Sequence, residues 1–125
     1  INLDLRSYGF GMGYQAQLAL ERANIATNRN TVRNEPSSPF YPSGLRIGTP
    51  ALTTRGMKEK DMKKVASWIK RVLDLIRGYD LPRDQKTRGA FIKDFRRKIQ
   101  VNKDLIKIQK EVSSFASKFP VPGIR

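Results

Sequence analysis

Neither cysteine nor histidine occurs in the 125 residues. Disulfides and thiolate metal sites are thereby excluded, and the commonest metal ligand and neutral-pH general base is missing as well. Acidic side chains are scarce, 11 against 25 lysines and arginines, which leaves a formal charge of +14. No apolar run approaches the roughly 20 residues that cross a bilayer as a helix. A chain without cysteine suits a reducing compartment, so a cytoplasmic setting is the expectation.

An apolar fraction of 38% and a charged fraction of 29% fit one soluble globular domain over 1–125, able to bury a modest core. Ile1, Leu3 and Leu5 alternate with Asn2, Asp4 and Arg6 as a strand already in progress, and the expectation is a fragment of a longer protein. Charge divides the chain. Residues 1–57 hold six basic and three acidic side chains, a net of +3, whereas residues 58–125 hold nineteen and eight, a net of +11. Clustered lysine and arginine make nucleic acid a candidate partner, because neutralised phosphates release counterions.

After the first strand, Ser7 to Gly13 is a glycine-spaced turn into a helix of about twelve residues carrying Ala16, Leu20 and Ala23 at helical spacing. The glycines do not follow the G-x-G-x-x-G spacing of a nucleotide loop and read as backbone geometry. Ile25-Ala26-Thr27-Asn28 is a second short strand that ends in the polar knot Asn28-Arg29-Asn30-Thr31. From there to Gly44, Pro36, Pro39 and Pro42 forbid regular structure, while Phe40 and Tyr41 have apolar surface to bury. An ordered, functional loop is predicted. From Lys58 the spacing turns helical, with Met62, Val65, Ile69, Val72 or Leu73 and Ile76 in one row, Gly78 as a C-cap, and this helix is expected to cover one face of the sheet. Trp68 beside that row reads as packing. A further helix is predicted over Gln85–Gln100 with Phe91 or Ile92, Phe95 and Ile99 inward. Asn102 caps a last one with Leu105, Ile108, Val112, Phe115 and Phe119 inward, which Pro120 ends ahead of an extended tail. The basic residues of these helices, interleaved with Glu59, Asp61, Asp94, Asp104 and Glu111, read as solvated faces, although Arg96-Arg97-Lys98 has the charge to touch phosphate.

The most informative stretch is Ser43-Gly44-Leu45-Arg46-Ile47-Gly48-Thr49-Pro50, a short strand with Leu45 and Ile47 on one face and Arg46 on the other, broken by Thr49-Pro50 and followed by a polar turn over Thr53–Gly56. A guanidinium held on rigid structure presents a planar fork that matches the two oxygens of a carboxylate or phosphate. As a bare pattern, Arg46 equally reads as an ordinary outward-facing strand residue. Together with Ala23-Asn24-Ile25-Ala26-Thr27-Asn28-Arg29-Asn30 and Ser37-Ser38-Pro39-Phe40, however, the stretch closely resembles the C-terminal domain of serine (glycine) hydroxymethyltransferases, most strongly over residues 24–76.

The resemblance implies an α+β fold, a small three-stranded antiparallel sheet covered by helices as in the C-terminal domain of fold-type I pyridoxal-phosphate enzymes, here with a helical C-terminal extension. It divides the chain into a site-bearing part, 1–57, and a basic helical part, 58–125. It implies that Arg46 binds the carboxylate of the amino-acid substrate, that the amide of Asn30 faces the pterin of tetrahydrofolate or a related cosubstrate, and that Ser38 and Phe40 line the same pocket. Asn30 as a turn former, Ser38 as a loop hydroxyl and Phe40 as plain packing remain open beside those roles. Two departures stand out. Arg33 occupies the place of a usual proline, and the stretch Gly78–Asn102 is longer than compact bacterial versions require.

The family's Schiff-base lysine, pyridinium-contacting aspartate and ring-stacking histidine belong to a large domain whose motifs do not occur in this sequence. No catalytic or metal-ligating residue is therefore assigned to this chain, and the chain alone is expected to be inactive. The implied partners are that large domain, with its pyridoxal phosphate, and further copies in a homodimer or homotetramer, without a membrane. A basic nucleic-acid-binding module built on 58–125 is the alternative, and a pseudo-enzyme domain that only assembles with partners is a third reading.

Overall fold

A computed structural model describes residues 2–47 and 57–118. Three strands, β1 (Asn2–Asp4), β2 (Asn28–Asn30) and β3 (Gly44–Arg46), form a sheet in the order β1-β3-β2, with both pairings antiparallel. Among the described residues four helices accompany it: α1 (Gly13–Arg22), α2 (Glu59–Leu75), α3 (Arg88–Gln100) and α4 (Lys103–Ala116). The α+β architecture and the three-stranded antiparallel sheet agree with expectation. The first strand's Ile1, the Thr49-Pro50 break, the polar turn at Thr53–Gly56 and the Phe119-Pro120 end with its tail lie outside the described residues.

Helix α1 is the central element because its inner face is made of small residues. Ala16, Ala19, Leu20 and Ala23 are fully buried, and alanine lets neighbouring backbones come close while costing no side-chain entropy. At its start, the Gly13 amide donates to the Pro42 carbonyl at 2.8 Å, so one orphan donor of the first turn is satisfied by the segment leading into β3. A Cβ on Gly13 would stand 2.6 Å from the carbonyl oxygens of both Gly44 and Pro42. Only glycine permits this helix–strand approach.

The second strand is displaced from its expected place. The Ile25 amide still donates to Leu20 O at 2.8 Å, and Asn24 adopts a left-handed φ of 65°. The chain is thus still leaving α1 where a strand was expected, and pairing with β3 starts only at Asn28. Asparagine tolerates the left-handed region through its short polar side chain. A second difference concerns α2. It packs on α1 and α4 rather than on the sheet, and α1 is the helix that meets β2 and β3. Strands of three residues expose too little apolar surface, chiefly Leu3 and Leu45, for a second covering helix.

The predicted apolar rows hold among the described residues except at the start of α2, where Met62 is half-buried and outside the core. Trp68, Ile69, Val72, Leu73 and Ile76 are buried on α2, Ile92, Phe95 and Ile99 on α3, and Leu105, Ile108 and Val112 on α4. Trp68 meets Phe115 edge to face at 5.2 Å, joining α2 to α4, and Arg71 donates two parallel bonds of 3.1 Å to the Glu111 carboxylate across the same seam. Gly78, past the end of α2, takes a φ of 89° and donates its amide to Tyr8 O. Gln85–Thr87 is a 3₁₀ turn held by the Asp84 side chain, so the helix expected from Gln85 begins at Arg88. Among the described residues, no helix is long and apolar enough to cross a membrane.

Asn102 accepts from the Leu105 amide at 3.0 Å, the N-cap expected of it. Asn102→Ala should lower the unfolding free energy by about 1 kcal/mol, and Asn102→Ser should restore most of the loss. Denaturant titration of the two variants checks this; equal losses in both would show that the cap does not stabilise α4.

Candidate functional site

The sheet has two unlike faces because side chains alternate along each strand. Leu3 and Leu45, paired in register, turn toward α1, and Leu45 is fully buried. On the other face lie Asn2, Arg46 and Asn28, directly opposite one another across the three strands, and all three are exposed. Asn30 stands two residues along β2 on that face, opposite Gly44 and diagonal to Arg46. Arg46 and Asn30 are thus neighbours on one polar surface, fixed by backbone pairing.

Arg46 has no acidic partner there. The nearest carboxylate on the same face by register, Asp4, accepts from Arg6 Nε at 3.0 and 2.9 Å and from the Arg6 amide at 3.0 Å. The Arg6 side chain, helped by the Arg6 amide, holds the Asp4 carboxyl below its usual range. Among the described residues no acceptor engages the Arg46 guanidinium. A cation on the middle strand, ringed by amides and facing outward, has the donor geometry for a planar two-oxygen anion.

Over Gly44 the chain folds back tightly. Asn2 Nδ2 donates to Thr31 O at 3.0 Å, and a Cβ on Gly44 would meet Asn30 O at 2.6 Å and Val32 Cγ1 at 2.7 Å. The loop that follows, residues 31–43, is ordered by a half-buried carboxylate. Glu35 Oε1 accepts from the amides of Val32 (3.2 Å) and Ser43 (2.8 Å), and Oε2 from the Ser37 amide (3.1 Å) and Ser43 Oγ (2.6 Å). Burial pushes the Glu35 carboxyl up, but the hydroxyl and three amides together outweigh it and hold the group below its usual range.

Ser38 Oγ accepts from the Tyr41 amide at 3.2 Å, closing a turn within the loop. Phe40 is 58% exposed. Its ring meets Tyr41 at 4.8 Å and Tyr14 of α1 at 6.2 Å, both edge to face. Arg29, whose side chain points to the opposite face from Asn30, lies 4.1 Å from the Tyr14 ring centre and 4.8 Å from that of Phe40, and its Nε donates to Phe40 O at 3.0 Å. Arg46 and Asn30 therefore share the outer sheet face, while Phe40 is held on the α1 side of β2. Arg33 is exposed on the loop.

Sequence reasoning missed Glu35, Arg29 and Tyr14. Glu35 had a legible signal as the lone acid in a segment of prolines, serines and asparagines, where free amides need an acceptor. The Arg29 stack had none, since it joins residues fifteen positions apart through a fold not yet known. The basic run of α3 does not act as one patch: Arg96 donates to Tyr14 Oη at 2.5 Å, whereas Lys98 pairs with Asp94 at 3.1 Å. Among the described residues no group of three metal-ligating side chains converges. Every described lysine is exposed, which does not fit a Schiff-base amine, because that role needs a desolvated, lowered-pKa lysine.

A family model described as serine hydroxymethyltransferase matches residues 1–69. Over 124 residues, 95% of the chain, the sequence is 41% identical to a probable cytosolic serine hydroxymethyltransferase of Schizosaccharomyces pombe, of which it spans 25%. Over 119 residues, again 95% of the chain, it is 40% identical to a serine hydroxymethyltransferase of Methanospirillum hungatei, spanning 23% of that protein. The match to the enzyme of Halorhodospira halophila is stronger but shorter, 61% over 62 residues, half of this chain and 15% of that one. The chain thus spans about a quarter of the length of the relatives that match it from end to end. Since the family model alone covers more than half of it, this chain belongs to the serine hydroxymethyltransferase family.

Proposed function

We propose that this chain is the C-terminal domain of a glycine hydroxymethyltransferase, an enzyme that interconverts serine and glycine by passing a one-carbon unit to a reduced pterin such as tetrahydrofolate. Its site-bearing part is 1–57 and its helical part 58–125. The observation that carries the reading is the exposed guanidinium of Arg46 on the middle strand, without an acceptor among the described residues and on the sheet face away from the helices. Arg46 grips the substrate carboxylate with two parallel charge-assisted bonds. Both ends of the fork being fixed, the torsion about the substrate's α-carbon is fixed as well, and the bond to be broken keeps one orientation. Asn30, beside it on the same face, offers an amide to the pterin, and Ser38 and Phe40, carried by the loop beyond the β2 edge and not by that face, border the pocket from the α1 side.

Pyridoxal phosphate, when bound, supplies the electron sink for the bond cleavage. No residue of this chain is assigned to hold it, since every described lysine is exposed, and no step on this chain runs through it. The cofactor belongs to the large domain, which the outer sheet face would meet, and the assembled enzyme is a homodimer or homotetramer. A cytoplasmic location follows the cytosolic fungal relative.

In the full-length protein, Arg46→Ala should weaken serine binding by at least about 100-fold, on the order of the two charged hydrogen bonds removed, with Arg46→Lys intermediate because it keeps charge but not the fork. Titration with serine measures this, and an affinity that barely moves would refute the carboxylate clamp. Asn30→Ala should weaken tetrahydrofolate binding by about tenfold and leave serine binding nearly unchanged. The 125-residue chain alone, supplied with pyridoxal phosphate, serine and tetrahydrofolate, should show no hydroxymethyl transfer; measurable turnover would contradict the assignment of the cofactor site to another domain.

A further inference from the structure

We propose that Glu35 is the positioning residue of the pterin site: its carboxylate gathers both ends of loop 31–43 onto one point and so fixes the segment that leaves Asn30 and carries Ser38 and Phe40. The inference rests on the pterin reading given above and adds a residue to it.

The geometry is specific. Val32 lies two residues beyond Asn30, and Ser43 immediately precedes Gly44, the residue paired with Asn30 in the sheet. By accepting from Val32, Ser37 and Ser43 together, Glu35 ties the loop's departure, its middle and its return to a single side chain. Ser43 is fully buried, and its carbonyl accepts from the Leu5 amide at 2.8 Å, so the same point is anchored to β1. Asn34, just before Glu35, takes a left-handed φ of 58° and turns the chain so that the carboxylate points back into the loop.

The donor count explains why a glutamate stands here. Four donors converge on two oxygens, two to each, which uses the acceptor capacity of an ionised carboxylate and leaves none for a ligand or for proton transfer. Glu35 thus acts through the loop, without touching substrate. A glutamine offers one acceptor and turns its NH₂ toward two of the donors. An aspartate keeps both oxygens on a stem one methylene shorter.

The tip of the loop is held by different means. Arg29 donates to Phe40 O and lies against both the Tyr14 and Phe40 rings, so Phe40 is tied to α1 whatever happens at Glu35. Loss of the carboxylate therefore frees the base of the loop first, where it borders Asn30.

The test uses the full-length protein with Glu35→Gln, Glu35→Asp and Glu35→Ala, and three readouts: tetrahydrofolate affinity, serine affinity, and hydrogen exchange at the Val32, Ser37 and Ser43 amides. Glu35→Gln should weaken tetrahydrofolate binding by about tenfold, as expected for one to two lost charged hydrogen bonds, and speed exchange at all three amides, while serine affinity stays within about twofold. Glu35→Asp should recover part of both effects. A parallel fall in serine and tetrahydrofolate affinity would overturn the inference by showing a general structural role, and so would faster exchange with unchanged tetrahydrofolate binding. Should Glu35→Ala fail to fold, the nearly isosteric Glu35→Gln decides alone. If Asn30→Ala weakens tetrahydrofolate binding and Glu35→Gln does not, only this inference fails; if neither does, the pterin reading falls with it.

Discussion

The contact on which the rest depends is the approach of α1 to β3 at Gly13 and Gly44. With no Cβ on Gly13, the helix start lies against the carbonyls of Pro42 and Gly44, and the Gly13 amide is satisfied by Pro42. That approach sets which way β3 faces. Leu45 is pressed onto the alanine side of α1 and sealed, and strand alternation then requires Arg46 to point outward. A slip of one residue would bury the guanidinium against alanines and expose the leucine. The cost of an unpaired buried charge makes that register untenable.

The same constraint sorts the arginines of the first half of the chain. Arg6 is taken up by Asp4, Arg22 by Gln100 O and Gln109, and Arg29 by Gln17, Phe40 O and the Tyr14 ring. Arg33 is exposed on an irregular loop, where a guanidinium has many rotamers and no fixed backbone beneath it. Arg46 alone of these described arginines combines exposure, the absence of an intramolecular acceptor among the described residues, and a position on the central strand of a ladder. A large positive charge says little about function until each cation's partner is known, and in this half of the chain Arg6, Arg22 and Arg29 have internal ones.

What was legible in the sequence follows from the range of the interactions involved. The helical rows on α2, α3 and α4, the Asn102 cap and the two-faced β3 depend on neighbours within a few residues, and, Met62 apart, all appear as read. The second strand was misplaced because Ile25-Ala26-Thr27 has the composition of a strand, yet its first amide is held by the end of α1. Composition cannot register that competition. Likewise, the helix that covers the sheet was misassigned: α2 has the stronger apolar row, but α1 has the small residues that a three-residue strand can accept at close range. Size, and not hydrophobicity, decided which helix the sheet took.

Loop 31–43 shows how far an irregular segment can be specified without secondary structure. Its prolines exclude helix and ladder, which explains why its backbone amides need another acceptor, and the one acid within it, half-buried Glu35, supplies two oxygens for four donors. Such a device differs from a hydrophobic plug in being directional. Each amide must point at the same carboxylate, so the loop has few alternative conformations that satisfy all of them, whereas apolar packing tolerates rearrangement. Arg29 adds the complementary restraint at Phe40, where a planar cation against two nearly perpendicular rings fixes orientation as well as distance. β2 lies between these two restraints: its outward residue, Asn30, stands next to Arg46, and its inward residue, Arg29, holds the loop tip. A single three-residue strand thereby couples the placement of the loop to the placement of the guanidinium, and neither can shift without breaking hydrogen bonds of the ladder they share.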